Sequence, residues 1–247
     1  MEIESLKFKT EKEYKEFLDY FFSIRDIEYR DFNTKIIVPV DCEIIGIRTP
    51  ILRDIAKKIA KTSSENFLNF FEKLFLKKKI KYYEEKVLYG FLIGYSKMDY
   101  QDRLKRIDFF ISIIDNWAVC DIVDSSFKFI NKNKEDFYKY LNSKLFATNP
   151  WEQRFIFVML LAYYVEDKYL KDIFEICEKI KSEEYYVNMA KAWLLSVCYV
   201  KHRDETYKFL EKTKLDAWTV NKAIQKIRES LRVTKEEKEQ VLILKRK

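Results

Sequence analysis

The sequence predicts an all-α protein, organised as an α-solenoid of degenerate helix pairs, and three observations predict it. Glycine and proline number only three each, about 2.4% of the chain where average usage is roughly 12%, so the turn residues of an all-β fold are missing. Apolar residues recur at spacings of 3 and 4, as in Tyr14, Phe17, Leu18, Phe21 and Phe22, the period of a helix with one buried face. Between the stripes lie short polar joints that carry helix-start signals.

Taken in order, the first stripe covers 11–29. Residues 36–48 break the pattern, with Pro39 and Gly46 among β-branched residues, and read as an extended loop feeding a helix at Pro50. Further stripes run over 51–61, 65–77, 82–96, 102–114, 118–131, 134–146, 151–165, 168–181, 185–200, 204–212 and 217–231. Thr49-Pro50, Ser63-Ser64 and Asn149-Pro150 place a capping residue or a proline at helix entrances, and Asp216 is set to cap the last stripe. Short helices with short joints form antiparallel pairs. Many pairs in series, in units of roughly 35–40 residues, make a single solenoid domain over 1–247. Such a solenoid curves and offers a concave face to something long, with DNA and peptide both allowed at this level.

Composition narrows the chemistry. No G-x-G-x-x-G or G-x-x-x-x-G-K-[ST] loop occurs. His202 is the one histidine, which leaves little room for a Ser-His-Asp site or a multi-histidine metal site, so no metal and no cofactor is expected. Cys42, Cys120, Cys177 and Cys198 form no C-x-x-C and read as reduced, mostly buried thiols. The start of the chain has acidic residues and no apolar core of a signal peptide, and no apolar run reaches membrane-spanning length. The expectation is a cytoplasmic protein without a membrane partner. Net charge is +7, which suits an anionic partner such as nucleic acid, although codon bias in an AT-rich genome produces the same balance.

Three segments concentrate candidate chemistry. In 115–124, Trp117 and Asp121 are four apart and share a helix face. In 149–154, Pro150 opens a helix and makes Trp151 and Arg154 neighbours at its positive end, which favours an anion. The third segment, 185–193, ends in Trp193. Each has a plainer reading: a tryptophan at helical spacing is more often core than platform, Asp121 also fits a capping role, and Arg154 also fits a pair with Glu152, Asp121 or Asp124. Convergence favours function, because one carboxylate, one guanidinium and up to three indoles come from consecutive helix pairs.

These residues carry a resemblance. Gly46-Ile47-Arg48-Thr49-Pro50-Ile51-Leu52-Arg53-Asp54-Ile55-Ala56-Lys57, then Tyr82-Tyr83-Glu84-Glu85 with its apolar helix, then Trp117 to Asp121 as W-x-x-x-D, then Arg154 and Trp193 follow in order. Over roughly 10–232 the chain resembles the HEAT-like-repeat DNA alkylation repair proteins, the AlkD-type alkylpurine DNA glycosylases. The stretch Trp218 to Ser230 is similar to the end of one bacterial subgroup, in which a shortened N-terminal DNA-binding region puts activity on standard alkylated bases in question.

The resemblance implies a HEAT-like superhelix with a basic concave face that holds duplex DNA, alkylated or distorted, and acts as a monomer associated with the nucleoid. It implies that Trp117 and Trp193 pack against deoxyribose and backbone at the lesion, that Asp121 sits near the anomeric carbon, and that Arg154 contacts a flanking phosphate. Trp151, Arg48, Lys191, Lys222 and Lys226 are the further DNA-binding candidates. The reaction so implied is hydrolysis of the glycosidic bond of cationic N3- or N7-alkylpurines by a monofunctional glycosylase. The alternatives are a non-catalytic relative that recognises distorted or branched DNA, and a protein-interaction scaffold.

Overall fold

The computed structural model describes residues 3–38 and 41–247. Among the described residues the chain forms fourteen α-helices and no strand. They are α1 (Glu11–Ser23), α2 (Ile27–Ile36), α3 (Thr49–Thr62), α4 (Ser64–Leu76), α5 (Tyr83–Tyr95), α6 (Tyr100–Ile113), α7 (Trp117–Ile122), α8 (Lys134–Ser143), α9 (Pro150–Tyr163), α10 (Asp167–Lys179), α11 (Tyr185–Lys201), α12 (Arg203–Lys212), α13 (Ala217–Glu229) and α14 (Lys235–Leu242). Short 3-10 turns cover Ile3–Ser5, Asp124–Ser126 and Lys128–Lys132. No helix among the described residues is long and apolar enough to cross a membrane. The chain divides into two compact units, Met1–Phe129 and Ile130–Lys247.

Within each unit every second helix stacks, as an array of helix pairs requires. In the first, α5 packs along α3 and α7, and α4 and α6 flank it. In the second, α11 packs along both α9 and α13, with α12 beside it and α14 on α13. The helices at the centre are therefore apolar nearly all round. Tyr83 to Ile93 of α5 are all buried, and so are Arg154 to Leu160 of α9. α5 approaches its neighbours closely because it carries glycine at two points. A Cβ at Gly90 would lie 2.6 Å from Val123, and one at Gly94 would lie 2.6 Å from the backbone oxygen of Ser126.

Several boundaries depart from the expected stripes. The stretch 11–29 is two helices, because Asp26 takes the N–H of Tyr29 at 2.9 Å and starts α2 anew. The stretch 118–131 stops being α-helical after Ile122. Ser126 Oγ donates to the carbonyl of Val123 at 2.6 Å, a local bond that competes with helix continuation. Asn149 and Asp216 do cap, accepting from Trp151 N and Thr219 N at 2.8 Å each. Ser63 does not cap by its side chain, and Thr49 instead lies 3.3 Å from the hydroxyl of Tyr29. α14 lies beyond the expected stripes, and a reciprocal capping box between Thr234 and Glu237 starts it. Residues 41–48 are non-helical, as expected for the loop, and Pro39 lies outside the described residues. Glu43 in this loop bridges to Tyr82, with Tyr83 N donating to Glu43 O at 2.8 Å.

Cys120, Cys177 and Cys198 are buried and Cys42 is partly exposed. Burial pushes the thiols of Cys42 and Cys177 up to about 12, so both stay protonated at neutral pH.

Candidate functional site

The site of the first unit is built on α7, a helix of six residues fixed at both ends. At its N-terminus Asn116 is fully buried and accepts the N–H of Val119 at 3.0 Å. The neighbouring Asp115 receives Lys86 Nζ of α5 at 2.7 Å, a nearly buried ion pair, and the N–H of Asp41 at 3.2 Å. Breaking one partner of such a pair costs several kcal/mol, so α7 is held firmly to α5 and the 41–48 loop. At its C-terminus Arg53 of α3 donates to the carbonyl of Ile122 at 2.9 Å, satisfying an acceptor the broken helix leaves open.

On this short helix Trp117 and Asp121 are both half-buried. The Trp117 indole N–H donates to Ile36 O at the end of α2, at 3.1 Å. The Asp121 carboxylate has two neighbours that register its charge. Burial first, and then the charge of Asp121, hold the Asp124 carboxyl above its ordinary value against the opposing pull of Ser125 and Arg53. Burial, then Glu84, with Asp121 a smaller contributor, raise the Tyr83 phenol well above its ordinary value. Tyr83 therefore stays a neutral hydroxyl beside a carboxylate.

Arg48 stands at the entrance to α3. It is largely exposed, but both Nε and Nη2 reach Asp26 Oδ2, at 2.8 and 2.7 Å. Its guanidinium also lies 5.1 Å from the centre of the Tyr29 ring. The loop that carries it is fixed by a buried carboxylate. Glu84 accepts the N–H groups of Ile45, Gly46 and Ile47 at 3.0, 2.7 and 3.1 Å. Gly46 has φ +102° and a Cβ there would lie 2.5 Å from the carbonyl of Asp26, so only glycine fits.

In the second unit the candidates lie on three stacked helices, and aromatic residues line the first turns. Trp151 of α9 lies 5.5 Å from the Tyr186 ring of α11, Tyr186 lies edge-on to Tyr185 at 5.0 Å, and Tyr185 lies 5.5 Å from Trp218 of α13. Arg154 is buried, and its Nη1 donates to Tyr186 O at 2.6 Å. Trp193 is half-buried on α11, and Lys226 is half-buried on α13. Lys222 donates to Gln225 at 2.7 Å and lies 5.6 Å from the Trp218 ring centre. Lys191 requires a correction. It is 2% exposed, its ammonium donates to Ile180 O at 2.8 Å, and burial lowers its pKa. That ammonium closes the end of α10 and is not a surface contact for phosphate.

Thus α7 brings Trp117 and Asp121 together, and the α9–α11–α13 edge brings Trp151, Arg154 and Lys222 into one aromatic row. Sequence pattern alone does not single out Arg53, Tyr83, Glu84 and Lys86 as site residues. For Glu84 a signal exists, two adjacent glutamates opening an otherwise apolar run. Among the described residues no group of histidine, cysteine, aspartate or glutamate side chains is arranged to hold a metal ion.

Comparison with curated proteins finds no match. A family model described as DNA alkylation repair enzyme matches residues 9–227, nearly the whole of both units, and on that match the chain belongs to the DNA alkylation repair enzyme family.

Proposed function

We propose that the protein is a monofunctional DNA glycosylase that releases positively charged N3- or N7-alkylpurines from double-stranded DNA, acting as a monomer through HEAT-like helix pairs. Family membership supports the repair role. The single observation that carries the chemistry is the Trp117–Asp121 face of α7, a carboxylate and an indole on a helix anchored at both ends.

An alkylated purine carries its own positive charge, so it leaves as a neutral base when the bond from C1′ to the ring nitrogen breaks and takes the electron pair with it. No general acid is needed. The sugar becomes an oxocarbenium-like cation, and the Asp121 carboxylate stabilises it. At about 4 Å and an effective dielectric of about 20 that attraction is on the order of 4 kcal/mol. Water, oriented by Asp121, then bonds to C1′ and passes its proton to that carboxylate and on to solvent. Indole faces attract the cationic lesion by roughly 0.5–2 kcal/mol for each ring, a task for Trp117. Arg154, buried with its Nη1 on Tyr186 O, acts by holding the aromatic row of α9 and α11 in place, and Trp151, Arg48, Lys222 and Lys226 supply the DNA contacts. In a cytoplasmic setting the substrate is the nucleoid.

The test is release of free base from methylated duplex DNA by the intact protein and by Asp121→Asn. The variant is expected to fall by about 10²–10³-fold, with duplex affinity retained. Equal release by both proteins removes Asp121 from the mechanism. Binding without any release by the intact protein replaces catalysis by recognition of distorted DNA.

A further inference from the structure

We propose that a cleft in the first unit, between α3, the end of α5 and residues 125–128, is a binding site for consecutive phosphates of one DNA strand. The proposal rests on the reading that DNA is the partner, and names where the backbone is held. The cleft has a volume of about 930 Å³. Arg53, Lys57, Lys61, Lys97 and Lys128 line it, and no carboxylate does among the described residues. Nothing in the family motifs assigns a role to the four lysines as a group.

Three of the cations form a row. Arg53, Lys57 and Lys61 are successive fourth residues of α3 and so share one face. Like charges at this spacing repel, and a bound polyanion removes the repulsion. From Arg53 to Lys61 the helix rises about 12 Å. That length is on the scale of a few consecutive phosphates of one strand. A row of evenly spaced cations suits a chain of evenly spaced phosphates better than it suits one small anion.

Arg53 is the rigid floor of the row. It donates to Tyr95 Oη at 3.1 Å, to Ile122 O at 2.9 Å and to Ser125 Oγ at 2.8 Å, and its guanidinium lies 4.5 Å from the Phe91 ring centre. All four partners are uncharged, so its positive charge is oriented without being neutralised by them. Asp124 lies near enough to feel that charge, but it does not line the cleft. Lys57 has Asp54 at 3.4 Å, but both side chains are more than half exposed, and such a pair is weak and gives way readily. Lys61, Lys97 and Lys128 are exposed. Gly94 keeps the wall low, since a side chain there would run into Ser126. Through Ile122 and Ser125 the same arginine touches the segment that follows Asp121, so backbone binding and the candidate chemistry share one support.

The experiment compares two variants of equal charge. One carries Lys57→Gln, Lys61→Gln, Lys97→Gln and Lys128→Gln. The control carries Lys12→Gln, Lys105→Gln, Lys139→Gln and Lys171→Gln, whose side chains are 87, 77, 77 and 88% exposed in the wild type. Affinity for undamaged duplex DNA is measured across a range of salt. Each phosphate that is no longer neutralised lowers the slope of log affinity against log salt by about 0.9, so the cleft variant is expected to fall by about 3–4 in slope while the control keeps the wild-type value. A cleft variant with the wild-type slope, a control that falls as much, or a wild type that does not bind duplex DNA overturns the proposal. So does displacement of DNA by pyrophosphate at constant ionic strength that the cleft variant no longer shows, which assigns the cleft to a small phosphate ligand. Absence of base release with the slope difference intact removes the glycosylase reading alone. Base release with no slope difference removes the cleft alone.

Discussion

α5 and α11 occupy the same position in their respective units, each stacked between two other helices, and each carries ionisable groups into an apolar environment. The groups that meet backbone atoms are of opposite charge in the two helices. α5 contributes Glu84, fully buried, whose two oxygens take three backbone N–H groups of the 45–47 loop. Beside it Glu85, also fully buried, accepts from Tyr14 Oη at 2.6 Å and from the N–H groups of Lys81 and Tyr82 at 2.9 and 2.8 Å. α11 contributes Lys191, whose ammonium reaches one carbonyl at the end of α10. A carboxylate gathers several donors and so organises an irregular loop. A lone ammonium closes one helix end. The irregular segment belongs to the unit that carries α7, and fixing it needs the multivalent acceptor.

The largest expected effect therefore follows Glu84→Ala. It strands three buried N–H groups at once, a loss of about 3–5 kcal/mol, and frees the loop that holds Arg48. Hydrogen exchange of the Ile45, Gly46 and Ile47 amides reports it, with protection lost there before α11 responds. Equal protection in the variant means the loop has another support. Lys191→Met is expected to cost only about 1 kcal/mol, because removing a buried charge offsets most of the missing bond to Ile180 O. Denaturant unfolding measures it, and a loss as large as that of Glu84→Ala would erase the contrast between the two helices.

The same contrast marks how far the sequence can be read. Helix content is legible because glycine and proline are scarce and because burial on one face leaves a period of 3.6 in the residues. The Trp117–Asp121 pair is legible because both ends lie on one short helix. The supports are not, since their partners are remote in the chain. Glu84 and Gly46 are 38 residues apart, and Arg53 and Ser125 are 72 apart. α14 is hidden because Val241 is its one buried residue, so no apolar stripe marks it. The α1–α2 break is hidden because apolar residues continue past it and a single aspartate decides the matter. Lys191 reads as a surface cation because it is a lone lysine in a mostly apolar stretch, and the pattern does not say that neighbouring helices cover that position too.

Acid and base titration give the smallest effect and the sharpest sign. Burial, working against the N–H donors, raises the Glu84 carboxyl above its ordinary 4.5, and burial, working against Tyr14, does the same for Glu85. Between 4.5 and those raised values the folded chain binds more protons than the unfolded chain, so these groups make stability fall as pH rises through that window. Burial lowers the Lys191 ammonium below its ordinary 10.5. Between that lowered value and 10.5 the unfolded chain binds more protons, so this group makes stability rise with pH. The two helices thus tilt the stability profile in opposite directions at opposite ends of the pH scale. Unfolding free energy measured across pH is expected to lose part of its acid-side decline in Glu85→Gln and part of its alkaline-side gain in Lys191→Met, each variant leaving the other limb unchanged. A Glu85→Gln profile parallel to the wild type would mean that Tyr14 and the two N–H donors hold the carboxylate ionised in spite of its burial. The first unit would then resemble a preformed anion site more than a protonated core.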